Sequence, residues 1–245
     1  MRTTPTTAID MDDEQRADGA GGRDFVAALQ LADSALPIGR FVHSHGLEAW
    51  LRREPAPSED EIAELVESVV GEAVAPLDGV VLAHAHRAGT LSDLLDLDRA
   101  LTARKMSSPA RAASRACGRQ LANLSGTLVD DVLVARLAAE VRERRTDGNL
   151  AVVEGAVSRA MGLTVAQAVL LELRGTAAAL LSSAVRLGRL GPVRAQGMLA
   201  AMAPAIAHAA TRALDAGLDD LRSSGIELEI AAMSHRRAHA RLFST

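Results

Sequence analysis

The chain has 245 residues, which is enough for one large domain with a substantial buried core. Apolar residues make up 48% of it but aromatic residues only 2%, so the core has to consist of Ala, Leu, Val and Ile, a composition that favours packed helices over a sheet. The formal net charge is −4 and the basic residues are scattered. This argues against nucleic acid as a partner, since phosphate binding requires a basic patch.

The single cysteine, Cys117, excludes an internal disulfide and fits a reducing compartment. Its small and apolar neighbours predict a buried core residue. The N-terminus lacks the basic and apolar regions of a signal peptide. The most apolar window, residues 163–187, contains Glu172, Arg174 and Arg186, and so predicts a buried helix rather than a membrane span. We therefore expect a cytoplasmic protein without a membrane partner.

Residues 1–22 contain few large apolar side chains, many charges and three glycines, which predicts a disordered tail followed by a single domain at residues 23–245. An apolar helical repeat then runs into Pro37. Because proline disfavours the helical conformation of the residue before it, we expect the first helix to end near Ala35 or Leu36. A short loop with two glycines and two histidines follows, and residues 47–53 resume helical spacing.

Helix starts are marked by three capping-box patterns, in which a Ser or Thr is followed three residues later by an acidic or amide side chain. They are Ser58 with Glu61, Thr90 with Asp93, and Thr164 with Gln167. Ser108 followed by Pro109 is a further N-cap pattern.

Prolines mark ends and bends. Pro76 is expected to end the helix that begins after Ser58, and Pro204 is expected to bend a helix over residues 193–216. A last helix is predicted over residues 227–241. The pattern contains about ten helices, no convincing strand and no repeat of fixed period, so we predict a single all-α domain built as an irregular bundle.

Histidines occur in three closely spaced pairs. His43 and His45 are two residues apart in the loop and could chelate an ion if the backbone is extended. His84 and His86 have the same spacing within a helix, where they point about 200° apart and cannot share an ion.

His235 and His239 are four residues apart and share a helical face, which resembles half of a zinc site. The intervening Arg236 and Arg237 would repel a dication, and the acidic base of metalloprotease helices is missing. A metal-binding or hydrolytic helical enzyme that uses His43 and His45, or His235 and His239, remains an alternative. A triad of Ser44, His43 and Glu48 can be imagined, but no spacing supports it.

Apolar residues at expected surface positions suggest docking instead. Phe41, Val42 and Leu47 flank the loop, and Leu242 and Phe243 lie near the end of the sequence. These side chains either pack into the domain's own core or form an interface, where apolar anchors beside an arginine such as Arg241 are common.

Four segments resemble, in order, the UreF family of urease accessory proteins. They are LQLADSALPIGRFVHSHGLE at residues 29–48, ARKMSSPARAASRACGRQL at 103–121, SSAVRLGRLGPVRAQG at 182–197 and EIAAMSHRRAHARLFS at 229–244. The resemblance extends from about residue 25 to the end.

The resemblance implies a non-catalytic, all-α chaperone that binds UreD (also called UreH), dimerises and recruits the nickel-carrying GTPase UreG, so that the assembly acts on apo-urease. It implies no cofactor, catalytic residue or metal ligand in this chain. It places partner contacts in the loop and in the last segment. The predicted partner-binding residues are Pro37, Gly39, Phe41, His43, Ser44, Gly46, Leu47, Glu48, His235, Arg241, Leu242 and Phe243.

Some positions depart from the family pattern. Arg40 stands where Gly or Ser is usual, and Asn149 where His is common. In the last segment, Arg236, His239 and Ala240 replace Glu, Tyr and Ser. A long cation at position 40, beside a glycine, either tunes the choice of partner or is simply solvated.

Overall fold

The protein is described by a computed structural model that covers residues 20–43, 46–224 and 230. Its α-helices are α1 (Ala20–Ala32), α2 (Leu47–Trp50), α3 (Glu59–Ser68), α4 (Val80–Arg87), α5 (Leu91–Arg104), α6 (Ser108–Leu128), α7 (Val132–Arg142), α8 (Leu150–Ala160), α9 (Val165–Arg186), α10 (Pro192–Ala201) and α11 (Ala203–Asp215). A π-helical segment, Val69–Gly79, joins α3 to α4. Short 3₁₀ turns lie at Arg40–Val42 and Leu218–Asp220. These residues contain no strand, which confirms the predicted all-α bundle.

Helix α9 is the centre of the bundle, because α1, α2, α3, α4, α8, α10 and α11 all pack against it. Its buried positions follow the three- and four-residue spacing of a helix face, as at Val169, Leu173, Ala177 and Leu180. By length and composition α9 is the one helix in the described ranges that could cross a membrane, yet 61% of its apolar window is buried by the other helices. It is therefore built as a core helix.

The three predicted capping boxes are present. Glu61 N donates to Ser58 Oγ at 3.2 Å, while Ser58 N donates to the Glu61 carboxylate at 2.8 Å. The same reciprocal pair is formed at the starts of α5 and α9. Each cap contributes about 1 kcal/mol, because it satisfies backbone donors that the first helical turn leaves unpaired.

The prediction that Pro76 ends its helix is wrong, because the chain stays helical from α3 to α4. Pro76 has no N–H, so it cannot donate to the Gly71 carbonyl as the pattern of a π-helix requires, nor to the Glu72 carbonyl as that of an α-helix would. Ser224 donates to the Glu72 carbonyl from its N–H at 3.1 Å and its hydroxyl at 2.8 Å. Arg212 donates to the Gly71 carbonyl at 2.9 Å. Distant groups thus satisfy the carbonyls that the proline leaves free.

Other boundaries also differ from the prediction. Helix α1 starts at Ala20, inside the predicted tail, and ends at Ala32, because the Asp33 carboxylate accepts a hydrogen bond from Ala35 N at 2.8 Å and turns the chain. Helix α2 is one turn rather than the predicted 47–53. The cap of α6 is Ser107, one residue before the predicted Ser108. Residues 1–19 and most of the predicted last helix lie outside the described residues.

The predicted bend at Pro204 is a junction between two helices, α10 and α11, which meet at Met202. Pro204 lies in the first turn of α11, where its missing N–H costs nothing. The prediction of one helix bent at Pro204 is therefore wrong, since two helices meet two residues before the proline.

Glycines allow two close helix approaches in the core. A Cβ on Gly118 of α6 would lie 2.0 Å from the Gly148 carbonyl oxygen and 2.7 Å from Leu150 N. A Cβ on Gly155 of α8 would lie 2.7 Å from the Leu82 carbonyl oxygen of α4. The backbones are therefore in direct contact, at distances that a residue with a Cβ atom would prevent.

Asn149 has a structural role. It is fully buried, and its side-chain amide donates to the Asp98 carboxylate and to Thr102 Oγ1, both at 2.8 Å. The same carboxylate accepts from the backbone N–H groups of Gly148 and Asn149. The turn before α8 is thereby tied to α5.

Candidate functional site

The loop at residues 33–43 and 46 lies against α9, with α1 on one side. Two glycines shape it, because Gly39 has φ 81° and Gly46 has φ 89°, values that other residues rarely adopt. Between them, residues 40–42 form the 3₁₀ turn. Arg186 of α9 donates to the Phe41 carbonyl. The backbone is therefore held in a defined conformation on the central helix.

Arg40 extends from the loop into the bundle, so the prediction that it is solvated is wrong, whereas its effect on partner choice stays a prediction. Only 10% of its side chain is exposed. One guanidinium nitrogen lies 2.8 Å from Glu154 Oε2 of α8 and the other 2.6 Å from Glu172 Oε2 of α9. A Cβ at Gly175 would lie 2.8 Å from the same guanidinium, so this glycine leaves the space that the arginine occupies.

The two carboxyl groups respond differently to this burial. Burial raises the pKa of Glu154 to about 8, against the opposing charge of Arg40, and Glu172 beside it adds to the rise. For Glu172, burial also favours the neutral form, but the charge of Arg40 and hydrogen bonds from Glu154 and Arg40 outweigh it and lower its pKa. The neutral form is therefore favoured at Glu154 and the charged form at Glu172.

A second buried ion pair lies beside the first. Lys105 Nζ is 2.8 Å from the Asp78 carboxylate, and both side chains are nearly buried. Burial raises the pKa of Asp78, Lys105 opposes this, and the charges of Glu172 and Arg40 also act on it. Arg40, Asp78, Lys105, Glu154 and Glu172 thus form one buried charge cluster, and with Glu154 protonated its charges balance.

The Glu154→Gln variant is expected to lose part of the pH dependence of stability. In the folded protein the pKa of Glu154 is about 8, against an ordinary value of 4.5, so the folded state holds a proton that the unfolded state releases between these values. Stability from this group is complete below about pH 4.5 and is lost as pH rises through 8, by at most about 1.4 kcal/mol per pH unit.

Urea unfolding at several pH values between 5 and 8 measures this effect. The wild-type free energy of unfolding should fall relative to that of the variant as pH rises. The lowered pKa values of the buried His43 and the half-buried His86 act in the opposite direction, but they are common to both proteins and cancel in the difference. Parallel pH profiles would contradict the assignment.

The predicted partner-binding residues of the loop differ in exposure. His43, Gly46, Leu47 and Glu48 are buried, and the Glu48 carboxylate pairs with Arg52 at 2.6 Å. Pro37 is exposed, whereas Gly39 and Phe41 are half-buried. The predicted residues that lie outside the described residues are Ser44, His235, Arg241, Leu242 and Phe243. Partner binding by any of these residues stays a prediction.

Glu154 and Glu172 were not predicted as partners of the loop. Both are single acids within apolar helices, LAVVEGAV in α8 and AVLLELRG in α9. An acid on a buried helix face either pairs with a buried cation or becomes neutral. That requirement could have indicated a partner for Arg40, although not which acid it would be.

The surface near the loop is apolar. Val42 is 51% exposed. On the preceding helix α1, Phe25 and Leu29 are 62% and 55% exposed, whereas its small residues Ala27 and Ala28 pack against the core. Single exposed apolar residues are ordinary on proteins, but several on one helix and the loop that follows it are typical of a binding surface.

His84 and His86 are placed as hydrogen-bonding groups. His84 Nε2 lies 3.3 Å from the Ala216 carbonyl oxygen, and His86 Nε2 lies 2.8 Å from that of Leu163, so the two rings have different partners. Within these ranges no group of three or more His, Cys, Asp or Glu side chains is placed to hold a metal ion. Cys117 is buried, as predicted, and burial raises its pKa to about 11.

Comparison with known proteins identifies the family. The UreF family model matches residues 57–203. Urease accessory protein UreF of Corynebacterium efficiens is 29% identical over 218 residues, which cover 89% of this chain and 95% of that protein. Urease accessory protein UreF 2 of Brucella canis is 31% identical over 88% of this chain and 89% of its own length. Urease accessory protein UreF of Trichodesmium erythraeum is 30% identical over 89% and 96%. The chain belongs to the UreF family.

Proposed function

We propose that this chain is a cytoplasmic, non-catalytic scaffold in urease maturation, which binds UreD and recruits the GTPase UreG for nickel insertion into apo-urease. Membership of the UreF family supports a role in urease maturation. In this proposal the nickel and the GTP hydrolysis belong to the partners. The scaffold provides surfaces that bring the partners together, as a homodimer within the complex.

The observation that carries the proposal is an apolar surface on a loop that is held in place. Val42 and the half-buried Phe41 lie at the surface. The residue before them, Arg40, is fixed to α8 and α9 by buried contacts with Glu154 and Glu172. A loop that is already ordered loses little conformational entropy on binding, so its apolar contacts contribute more fully to affinity. These features suit a docking surface.

The surface we assign to UreD consists of Pro37, Phe41 and Val42 with the exposed face of α1. Buried residues of the predicted set, such as Leu47 and Glu48, support this surface from below rather than contact the partner. The segment with Arg241, Leu242 and Phe243 is proposed to add contacts to UreD and to help recruit UreG.

Co-purification with UreD tests the proposal. The two proteins, expressed together, should form a soluble complex. Val42→Asp should weaken that complex by about tenfold or more, because a charge would replace an apolar anchor within the interface. Val132→Asp is the matched control, since Val132 is 77% exposed on α7 and lies outside the proposed surface.

Both variants should retain the thermal stability of the wild type, because neither valine is buried. Titration of each purified variant with UreD measures the affinity. If both proteins are folded and no complex forms, the proposed function is wrong. If V42D and V132D bind equally well, the loop is not the docking surface.

A further inference from the structure

A groove of about 540 Å³ lies on the side of the bundle formed by α3, the π-helical segment and α11. Its floor is apolar and includes Val70, Ile206 and Ala209. Glu64 and Glu67 of α3 and Glu72 of the π-helical segment lie along one wall, and all three are exposed. The groove therefore combines an apolar floor with an acidic rim.

The acidic rim is only partly neutralised. Glu72 pairs with Arg212 at 3.1 Å on the opposite wall. Glu64 and Glu67 form no ion pair with any of the residues that the structure describes. Two carboxylates beside an apolar floor favour a ligand that is basic and amphipathic.

The direction of the chain leads to this groove. After α11, Arg222 N donates to the Pro76 carbonyl at 3.3 Å, and Ser224 then donates to the Glu72 carbonyl. Residues 222–224 therefore run antiparallel to the π-helical segment, from Pro76 towards Glu72. A chain that continues in this direction meets Glu67 and then Glu64, which is about 12 Å beyond Glu72 at the helical rise per residue.

The sequence that follows has the chemistry that the groove requires. Residues 231–245, AAMSHRRAHARLFST, contain Arg236, Arg237 and Arg241 and no acidic residue. They also contain apolar side chains, Met233, Leu242 and Phe243, that could cover the floor. The chain itself therefore carries a basic, amphipathic segment tethered at the mouth of an acidic, apolar groove.

We propose that residues 231–245 bind in this groove of the same molecule, with the arginines facing Glu64 and Glu67. The tether makes binding within one molecule favourable even where each contact is weak, because the local concentration of a segment a few residues away is in the millimolar range. The contact is independent of the proposed function, since it requires no other protein. If residues 241–243 also bind UreD, the groove and UreD compete for them, and only that consequence rests on the proposed function.

Hydrogen–deuterium exchange of the full-length protein, followed by mass spectrometry, tests the contact. Backbone amides of residues 231–245 should exchange more slowly than those of the same sequence as a free peptide. In the E64K/E67K variant that protection should fall about tenfold, because two attractions become repulsions. Adding R236E/R237E to E64K/E67K reverses both sides of the contact and should restore the protection.

The D96K/D130K variant is the matched control, since it changes the net charge equally at exposed acids outside the groove. It should leave the exchange of residues 231–245 unchanged. Exchange as fast as in the free peptide would overturn the proposal, and so would protection that E64K/E67K does not reduce. Protection that disappears on dilution would assign the segment to a second copy, which also overturns binding within one molecule.

Discussion

Replacing Arg40 with methionine is expected to lower the free energy of unfolding by about 3 to 5 kcal/mol, because it leaves the buried carboxylate of Glu172 without its cation. Only 7% of the Glu172 side chain is exposed, so water cannot take the place of the guanidinium. For a chain of this length the melting temperature should fall by about 10 °C. Urea unfolding followed by circular dichroism measures the change.

Arg194 provides the control for this result. It also bridges two carboxylates, Glu59 and Asp60, each at 3.1 Å, but 53% of its side chain is exposed. Arg194→Met should therefore cost less than about 1 kcal/mol. Removing the stranded charge in an R40M/E172Q double variant should recover part of the lost stability. Equal effects of R40M and R194M would show that the charge cluster is hydrated and contributes little.

Gly118→Ala is expected to destabilise the fold by on the order of 3 kcal/mol, because the added methyl group meets backbone atoms that cannot rotate away. The new Cβ would lie 2.0 Å from the Gly148 carbonyl oxygen, so α6 has to move off the turn that precedes α8. That turn is itself fixed by Asp98, which leaves the backbone little freedom to adjust. Thermal and urea unfolding measure the loss.

Gly126, on the same helix, is the matched control. A Cβ there meets nothing within 4 Å, so Gly126→Ala should raise stability by about 0.5 to 1 kcal/mol through the higher helix propensity of alanine. The two substitutions are chemically identical, but their effects on the free energy of unfolding should have opposite signs. If Gly118→Ala proves neutral, the close approach of α6 to residues 148–150 is not required by the fold.

The features that the sequence predicted correctly depend on residues that are close together along the chain. A capping box is formed by side chains three positions apart, so Ser58 with Glu61 can be recognised without knowledge of the fold. The all-α class also follows from local quantities, namely composition and the spacing of apolar residues. Pro76 shows the limit, because the partners that let the helix continue, Arg212 and Ser224, are 141 and 152 residues from the carbonyls they satisfy.

The candidate site was only partly predictable for the same reason. The glycines and Pro37 mark a shaped loop, and the structure contains one. The buried position of Arg40 could not be predicted, since its partners Glu154 and Glu172 are 114 and 132 residues away in the sequence. Periodicity also could not decide which side of α1 is buried. Ala27 and Ala28 pack inward, whereas Phe25 and Leu29 face solvent.

Arg40 has a practical consequence for work that exchanges parts between UreF proteins. When this loop is transferred to another UreF protein, it can keep its conformation only if that protein also has two acids at the positions of Glu154 and Glu172 and a glycine at the position of Gly175. These three residues come from two helices that lie far from the loop in sequence. Position 40 is therefore best treated as one member of a four-residue unit that has to be transplanted together.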